Sequence, residues 1–313
     1  MPGKDGEAGD VGFIVDAAGC SQAKKGPLEA RSSFGTQPWL KCFALVIVGA
    51  LGAPAWCQSD PNIMDTSSYA KALKDHVDDR GMVNYQALKK NPHDLDAYLT
   101  ALAGISEEDY SQWEEPEQIA FWINAYNGLT LKSIIDNYPI KSSFFKSINN
   151  PKNSIRQISG VWDKKTHRVM GKKLSLNHIE HKILRVQFEE PRIHVALVCA
   201  AMGCPALRNE PYDGERLTQQ LKDQSRRFLR NRAKLQILRA NKIVSLSAIF
   251  KWYGKDFPAA YRPRRPIGRH GKDTQAVLSY ISRHLDEPQK SYVLAGDYRV
   301  TYLDYDWSLN EQQ

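Results

Sequence analysis

The segment that decides the fold is E-Q-I-A-F-W-I-N-A-Y-N-G-L-T-L-K-S-I-I-D-N-Y, residues 117–138, which runs from just after Pro116 to Pro139. Apolar residues cover nearly the whole circumference of a helix with this sequence, which predicts a buried central helix. Asn124 and Asn127 share one face of it, three positions apart. A buried amide must be hydrogen-bonded, so the pair either ties loops to the helix or lines a site as an oxyanion donor or substrate clamp.

The densest chemistry lies further along, in R-I-H-V-A-L-V-C-A-A-M-G-C-P-A-L at 192–207. The unbroken apolar run 193–199 predicts a central strand buried on both faces. Cys204 and Pro205 are typical of the N-cap and first residue of a short helix. A helix N-terminus stabilises a thiolate, which favours Cys204 as a nucleophile. His194, at the start of the run, is the first candidate for its base.

Between these segments lies L-N-H-I-E-H-K-I-L-R-V, 176–186, which predicts a helix. At 100° per residue Glu180 falls within the apolar arc, His181 lies on its border, and His178 and Arg185 point away. A carboxylate on an apolar face is paired or catalytic, because an unpaired buried charge is very costly. We predict that Glu180 is buried and partnered.

The remaining patterns predict an α+β fold with a single domain over residues 65–310, in which the central helix packs on a mixed or antiparallel sheet. Segment 161–173 predicts a hairpin with its turn at 163–166, and Ser175 is a typical N-cap for the helix that follows. Further helices are predicted over 66–90, 93–104, 215–232 and 273–285, a strand over 242–246, and a strand-rich tail over 291–307.

The N-terminal region predicts export. Lys41 precedes an uncharged apolar run at 42–51, and A-P-A follows at 53–55, in the order of a secretory signal. The run is about half of the roughly 20 apolar residues that a membrane span requires. We therefore interpret 40–55 as a signal peptide and 1–39 as a start-site artefact or disordered extension. The predicted location is periplasmic or secreted; the alternative is an uncleaved signal that anchors the chain to the inner membrane.

Charge and cysteine usage exclude several classes of protein. The net charge is +8. Part of the excess of basic over acidic residues lies in a Pro- and Gly-containing loop at 261–272, which we interpret as solvated. Zinc-finger spacing, a Walker loop and G-x-G-x-x-G are missing from the sequence, so we expect no nucleic-acid partner and no cofactor. We expect membrane contact only through the signal segment. Five cysteines in 313 residues are too few for a disulfide scaffold.

Five motifs together resemble the bacterial branch of the family called domain of unknown function 547: F-W-I-N-A-Y-N at 121–127, L-S-L-N-H-I-E-H-K-I-L-R at 174–185, I-H-V-A-L-V-C-A-A-M-G-C-P-A-L at 193–207, L-S-A-I-F-K-W-Y-G-K-D-F at 246–257 and Y-D-W-S-L-N at 305–310. The resemblance covers roughly residues 65–310 and implies a single domain that is often exported in bacteria, with no general activity assigned. The family pattern has matching residue types at Asn124, Asn127, Glu180, His194, Cys199 and Cys204. The chain departs from it at Asn177 and His178, where acidic residues are usual.

Three interpretations of the cysteine and histidine cluster remain open. In the first, Cys204 is the nucleophile of a papain-like or transglutaminase-like hydrolase or acyl transferase, with His194 as base and Glu180 orienting it. A strand over 193–199 would separate His194 from Cys204 by roughly 15–20 Å. The loop at 200–203 must then fold back, or His181 must serve as the base.

In the second interpretation, Cys199 and Cys204 form a disulfide, either in a non-enzymatic binding or scaffold domain or for redox chemistry. In the third, His178, His181 and His194 bind zinc with a cysteine, although His178 turns away from Glu180. We favour a site without metal.

Under the first interpretation the substrate is a small, peptide-like or thiol-containing molecule. The aromatic segment Phe250, Trp252, Tyr253 and Phe257 forms a wall near the thiol in an enzyme, and an exposed patch in a binding module. The predicted catalytic residues are Cys204, His194, Glu180, Asn124 and His181. The predicted substrate-binding residues are Asn127, Trp252 and Arg185.

Overall fold

The computed structural model describes residues 63–142 and 150–313, all within the compact unit Cys57–Gln313. The predicted signal peptide at 40–55, the extension at 1–39 and Cys57 lie outside the described residues. The fold is α+β, as predicted, and helices make up most of its regular structure.

The described α-helices are Ser67–His76, Tyr85–Lys90, His93–Gly104, Glu107–Ser111, Glu115–Ile135, Leu176–His178, Arg185–Gln187, Leu217–Arg230, Ala248–Tyr253, Pro258–Tyr261, Lys272–Ser282 and Gln289–Ala295. The 3-10 helices are Ile155–Gln157, Pro191–Val195, Arg239–Asn241 and Gly254–Asp256, and Ile179–Leu184 is a π-helix. The predicted helix over 66–90 is two helices, because a turn at 79–80 reverses the chain between them and Val77 forms an antiparallel bridge with Val83.

The strands of the described chain form two small sheets. His167–Val169 pairs antiparallel with Lys172–Leu174. In the second sheet Ile243–Leu246 is the middle strand, antiparallel to Leu235–Leu238 and parallel to Arg299–Tyr302. The prediction of a strand over 242–246 is confirmed, whereas part of the predicted strand-rich tail is the helix Gln289–Ala295.

The helix Glu115–Ile135 is the buried centre of the larger hydrophobic core. A capping box between Glu114 and Glu117 satisfies its first amides, and Pro116 lies in its first turn. Its packing partners include the helices His93–Gly104 and Leu217–Arg230. The centre of the fold is therefore a helix surrounded by helices, and the small sheet belongs to a second core cluster that the C-terminal half forms.

The hairpin is present, but its predicted turn was wrong. The chain reverses at Met170 and Gly171, both with positive φ (50° and 70°), as a two-residue hairpin turn of the primed type requires. Residues 163–166 belong to the turns that precede the first strand.

The predicted strand over 193–199 was also wrong. The described chain has a 3-10 helix at Pro191–Val195 and continues without ladder hydrogen bonds to Cys199. The side chain of Asn127 replaces the missing strand neighbour: its Nδ2 donates to the Ala196 carbonyl at 3.1 Å, and its Oδ1 accepts from the Val198 amide at 2.9 Å. A buried amide on the central helix thus satisfies this segment's backbone.

The C-terminal tail, residues 303–313, runs back across the domain. Leu309 bridges Ala201, and Glu311 bridges Val83 near the start of the described chain. The amides of Met202 and Gly203 donate to the carbonyls of residues 308 and 306, each at 2.7 Å. The tail therefore joins the first helices to the loop 200–203.

Candidate functional site

A cavity of about 250 Å³ opens where the π-helix, the segment 194–205 and the tail meet. We call it the disulfide cavity. It is lined by Tyr126, Arg156, Trp162, Asn177, Glu180, His181, His194, Leu197, Cys199, Cys204, Pro205, Ile249, Trp252, Tyr253, Tyr305 and Trp307.

Cys199 and Cys204 form a disulfide in the wall of this cavity. Cys204 is buried and Cys199 is half-buried, so Cys199 is the more exposed residue of the pair. The predicted helix after Pro205 was wrong: the described chain is irregular there, and Cys204 is not an N-cap. Its sulfur instead accepts hydrogen bonds from the Cys199 amide at 2.8 Å and from the Tyr305 hydroxyl at 3.0 Å.

The loop between the two cysteines has a constrained backbone. Ala200 has a φ of 60°, a left-handed conformation that is rare for alanine. A Cβ at Gly203 would meet the ring of Tyr305 at 2.7 Å, so only glycine allows that ring to approach the sulfur atoms. His194 and Cys204 line the same cavity.

His194 is buried and is held by two groups. Its Nε2 lies 2.7 Å from Oδ2 of Asp256, and its ring stacks on Tyr253 with 4.1 Å between centroids. Burial lowers the pKa of His194, against the opposing effects of Asp256 and Glu180. The imidazole is therefore neutral at pH 7, and because Asp256 binds Nε2, Nδ1 is the basic nitrogen.

Asp256 also forms a bidentate ion pair with Arg185, with distances of 2.6 Å to Nε and 2.9 Å to a terminal nitrogen. Burial alone would raise the pKa of Asp256, but the hydrogen bonds from His194 and Arg185 hold it well below its usual range. Asp256, and not Glu180, is thus the carboxylate that hydrogen-bonds to His194.

Glu180 is buried, as predicted, and faces the cavity. The hydroxyls of Tyr126 and Tyr253 hydrogen-bond to Glu180. Burial is the larger cause that raises the pKa values of these two tyrosines, and the Glu180 carboxylate raises them further. Because a π-helix bonds residue i to i+5, it brings residues five apart onto one side. This places Arg185, predicted to point away, on the side of Glu180.

His181 lies at the edge of the cavity. Its Nδ1 is 3.1 Å from Arg185 and 3.8 Å from Oε1 of Glu180. His178 is exposed. Among the residues that the structure describes, no three His, Cys, Asp or Glu side chains are grouped so that they could hold a metal ion.

Aromatic rings form the mouth of the cavity. Trp252 is 44% exposed, and its ring lies near those of Tyr305 and Trp307. Phe250 and Phe257 are buried behind them. The aromatic segment therefore divides between core and cavity wall, and Trp252 alone of its four rings is exposed.

The other predicted site residues lie outside the cavity lining in the described part of the chain. Asn124 bonds to the backbone of Tyr212 through both amide atoms, at 2.7 and 2.9 Å. Asn127 holds residues 196–198 in the same way, and Arg185 contacts Asp256. Both asparagines thus tie loops to the central helix.

Comparison with known proteins gives one match, to a family model. Residues 110–229 match the family described as Protein of unknown function, DUF547. The DUF547 segment contains Glu180, His194, Cys199 and Cys204, whereas Asp256 and Tyr305 lie beyond its end. No curated protein and no solved structure matches the chain.

Sequence reasoning missed Asp256 and Tyr305 as site residues. Both lie in motifs that were noted for the resemblance, 246–257 and 305–310. A carboxylate within an aromatic cluster was the available signal for Asp256, by the same argument that singled out Glu180.

None of the helices in the described ranges has the length and apolar character that a membrane crossing needs.

Proposed function

We propose that this chain is an exported domain that performs thiol–disulfide exchange with a small thiol-containing substrate in the disulfide cavity. The observation that carries the proposal is the position of the Cys199–Cys204 disulfide in the wall of a cavity that His194 also lines, with Asp256 hydrogen-bonded to His194. A disulfide that served only to stabilise a six-residue loop would contribute little, since the benefit grows with loop length.

The two sulfur atoms differ in a way that supports a direction of attack. Cys199 is the less buried residue, and only Sγ of Cys204 accepts from the Cys199 amide, at 2.8 Å. The Tyr305 hydroxyl lies 3.0 Å from Sγ of Cys204 and 3.1 Å from Sγ of Cys199. A leaving thiolate departs faster when its charge is stabilised. The substrate thiolate therefore attacks Sγ of Cys199, the Cys199–Cys204 bond breaks, and its electron pair remains on Sγ of Cys204.

His194 supplies the substrate thiolate by accepting the thiol proton on Nδ1. A second substrate thiolate then attacks the substrate sulfur of the mixed disulfide. The products are a substrate disulfide and a protein dithiol, so two thiols are oxidised as one protein disulfide is reduced. A second small disulfide compound, reduced in the reverse sequence, restores the starting state.

The test is the rate at which 2-mercaptoethanol reduces the native protein, followed by quenching with iodoacetamide and intact mass. Tyr305→Phe removes one donor to the leaving thiolate and should slow the reduction about tenfold or more, since a hydrogen bond to a charged group contributes about 1.5–3 kcal/mol. Tyr302→Phe, an exposed tyrosine of the same C-terminal region, is the matched control.

His194→Gln tests the role of His194 as a base separately from any role in stabilising the fold. It should slow reduction at pH 7 and have little effect above the pKa of the substrate thiol, where no proton needs to be removed. Equal rates in wild type, Tyr305→Phe and His194→Gln, or reduction only in denaturant, would contradict exchange and favour a binding domain with a structural disulfide.

A second candidate is the cysteine hydrolase or acyl transferase, acting in the dithiol form. Cys204 and His194 line one cavity, and the two donors to Sγ of Cys204 would also stabilise a free thiolate. In this reaction Sγ attacks a carbonyl carbon, the leaving group departs, and water or an acceptor cleaves the resulting thioester.

Reduced protein and p-nitrophenyl acetate test this candidate. A burst of nitrophenolate that Cys204→Ser abolishes and Cys199→Ala retains would support it. Turnover equal to that of buffer in the reduced wild type would leave exchange as the activity. Either result is independent of the mercaptoethanol rates.

Export is tested by the mature N-terminus. From Lys41, the apolar run 42–51 and A-P-A at 53–55, we expect a chain that begins at Trp56. Intact mass of the protein from the periplasmic or secreted fraction measures this directly. Retention of residues 1–40 would show that the segment is not a cleaved signal.

A further inference from the structure

A second cavity, of about 290 Å³, lies on the other side of the disulfide loop. Cys204 and Pro205 contribute to both cavities. We call the second one the basic cavity, because Arg80, Arg227 and Lys234 line it together with one carboxylate, that of Asp79.

Lys234 is the unusual member of this set. It is 4% exposed, and its ammonium donates to the Met202 carbonyl at 2.6 Å. Burial lowers its pKa to about 8, against the attraction of Asp306. Among the described residues no carboxylate lies within ion-pair distance of it, and buried cations are ordinarily paired.

Two other hydrogen-bond donors, Arg227 and Asn231, line the same cavity as Lys234. Arg227 is half-buried, donates to the backbone carbonyl of Asp79, and forms no ion pair with a carboxylate of the described chain. The Asn231 side chain uses its Oδ1 to accept from the Ala233 amide, which leaves its NH2 group as a donor at the cavity. The Asp79 carboxylate accepts a hydrogen bond from Asn209 and keeps its negative charge, so the three cations of the cavity outnumber it.

From this arrangement we propose that the basic cavity binds a phosphate group, free or as a small monoester, between Lys234, Arg227 and Asn231. A doubly charged oxyanion with several acceptor atoms matches two cations and an amide, and guanidinium and ammonium groups are the usual phosphate ligands in proteins. The volume is sufficient for a small phosphate compound and too small for a polymer.

Isothermal titration calorimetry of the full chain at pH 7 tests the proposal, with inorganic phosphate and glycerol 1-phosphate as separate probes and sodium chloride at equal ionic strength as the blank. Lys234→Met and Arg227→Gln should each weaken phosphate binding about tenfold or more, because each removes a charged hydrogen-bond donor. Tighter binding of the monoester would identify the ester as the natural form, and equal or weaker binding the free ion.

The matched control is Arg226→Gln, an exposed arginine next to Arg227 on the same helix. Arg156→Gln, in the disulfide cavity, checks that phosphate does not bind there. Both should bind phosphate as the wild type does. Circular dichroism measures whether each variant is folded. If Lys234→Met does not fold, Arg227→Gln alone tests the proposal. Absence of phosphate binding by the wild type, or equal affinity in Arg227→Gln and Arg226→Gln, would overturn the proposal.

Discussion

Cys204 and Pro205 line both the disulfide cavity and the basic cavity, but the two cavities differ in whether their charged groups are paired within the protein. At the first, Asp256 lies outside the lining and pairs with Arg185 and with His194, which lines the cavity, and tyrosine hydroxyls hydrogen-bond to Glu180. In the second, Lys234 has a carbonyl as its acceptor and no carboxylate of the described chain at ion-pair distance.

This difference separates two kinds of site. Charges that are paired within the protein fix one geometry before any ligand arrives, which suits a chemical step. Cations without a carboxylate partner carry an uncompensated desolvation cost that an external anion relieves. The three predictions below test this contrast, from the largest expected effect to the smallest.

Asp256→Asn should have the largest effect on stability, a loss of about 3 kcal/mol, because it leaves Arg185 and His194 without their shared partner. Since the folded pKa of Asp256 lies below its unfolded value, its contribution is present above about pH 4 and is lost as the pH falls further. Urea unfolding at pH 7 and pH 3 measures both effects. Asp304→Asn, at an exposed position, is the control, and equal losses in the two variants would contradict the pairing.

Lys234 should also make stability rise with pH, but in a higher pH range, because here it is the charged form that burial disfavours. Its folded pKa of about 8 lies below the unfolded value, so the unfolded chain binds more protons and stability rises with pH above about 8. The rise should be about 1.5 kcal/mol between about pH 8 and pH 9.5, before buried tyrosines with raised pKa values begin to oppose it. Urea unfolding in phosphate-free buffer should show this rise in wild type and in the exposed control Lys222→Met, and not in Lys234→Met. A rise of equal size in Lys234→Met would contradict the assignment.

Ala200→Gly should have the smallest effect. It relieves a left-handed alanine in the loop between the two cysteines, worth roughly 1–2 kcal/mol, and the greater freedom of glycine in the unfolded chain offsets part of this. We expect a net gain of up to about 1 kcal/mol. Ala201→Gly, without that relief, should be destabilising. If thermal unfolding shows the same loss for both variants, the backbone at Ala200 is not strained.

Much of the helical fold could be predicted from the sequence, because its signals are local. Apolar residues around the whole circumference identified the helix Glu115–Ile135 as the buried centre, and this is confirmed. Ser175 is an N-cap, since its hydroxyl accepts from the amide of His178. The helix over 215–232 is present as Leu217–Arg230.

The error over 193–199 has a specific physical cause. An unbroken apolar run signals burial, and a strand is the usual way to bury backbone amides. Here the amide side chain of Asn127, about seventy positions earlier, satisfies that backbone instead. No local pattern records a hydrogen bond at that sequence distance.

The candidate site shows the same limit. Burial of Glu180 followed from its place on a helix face, but the partner of His194 did not, because Asp256 is 62 positions away. The thiolate-stabilising groups on Cys204 are the Cys199 amide and the Tyr305 hydroxyl, and a helix terminus was predicted in their place. Residue types at the site were predictable, and pairings across the fold were not.

The tail at 303–313 has a consequence for how the protein is made. It is synthesised about a hundred positions after the two cysteines, yet it supplies Tyr305 to the disulfide cavity and the carbonyls that hold Met202 and Gly203. The site therefore cannot assemble before residues 303–313 have been synthesised. Until then Cys199 and Cys204 lack the Tyr305 hydroxyl, so any oxidant reacts with them as with ordinary cysteines. The difference in their surroundings arises only in the completed fold.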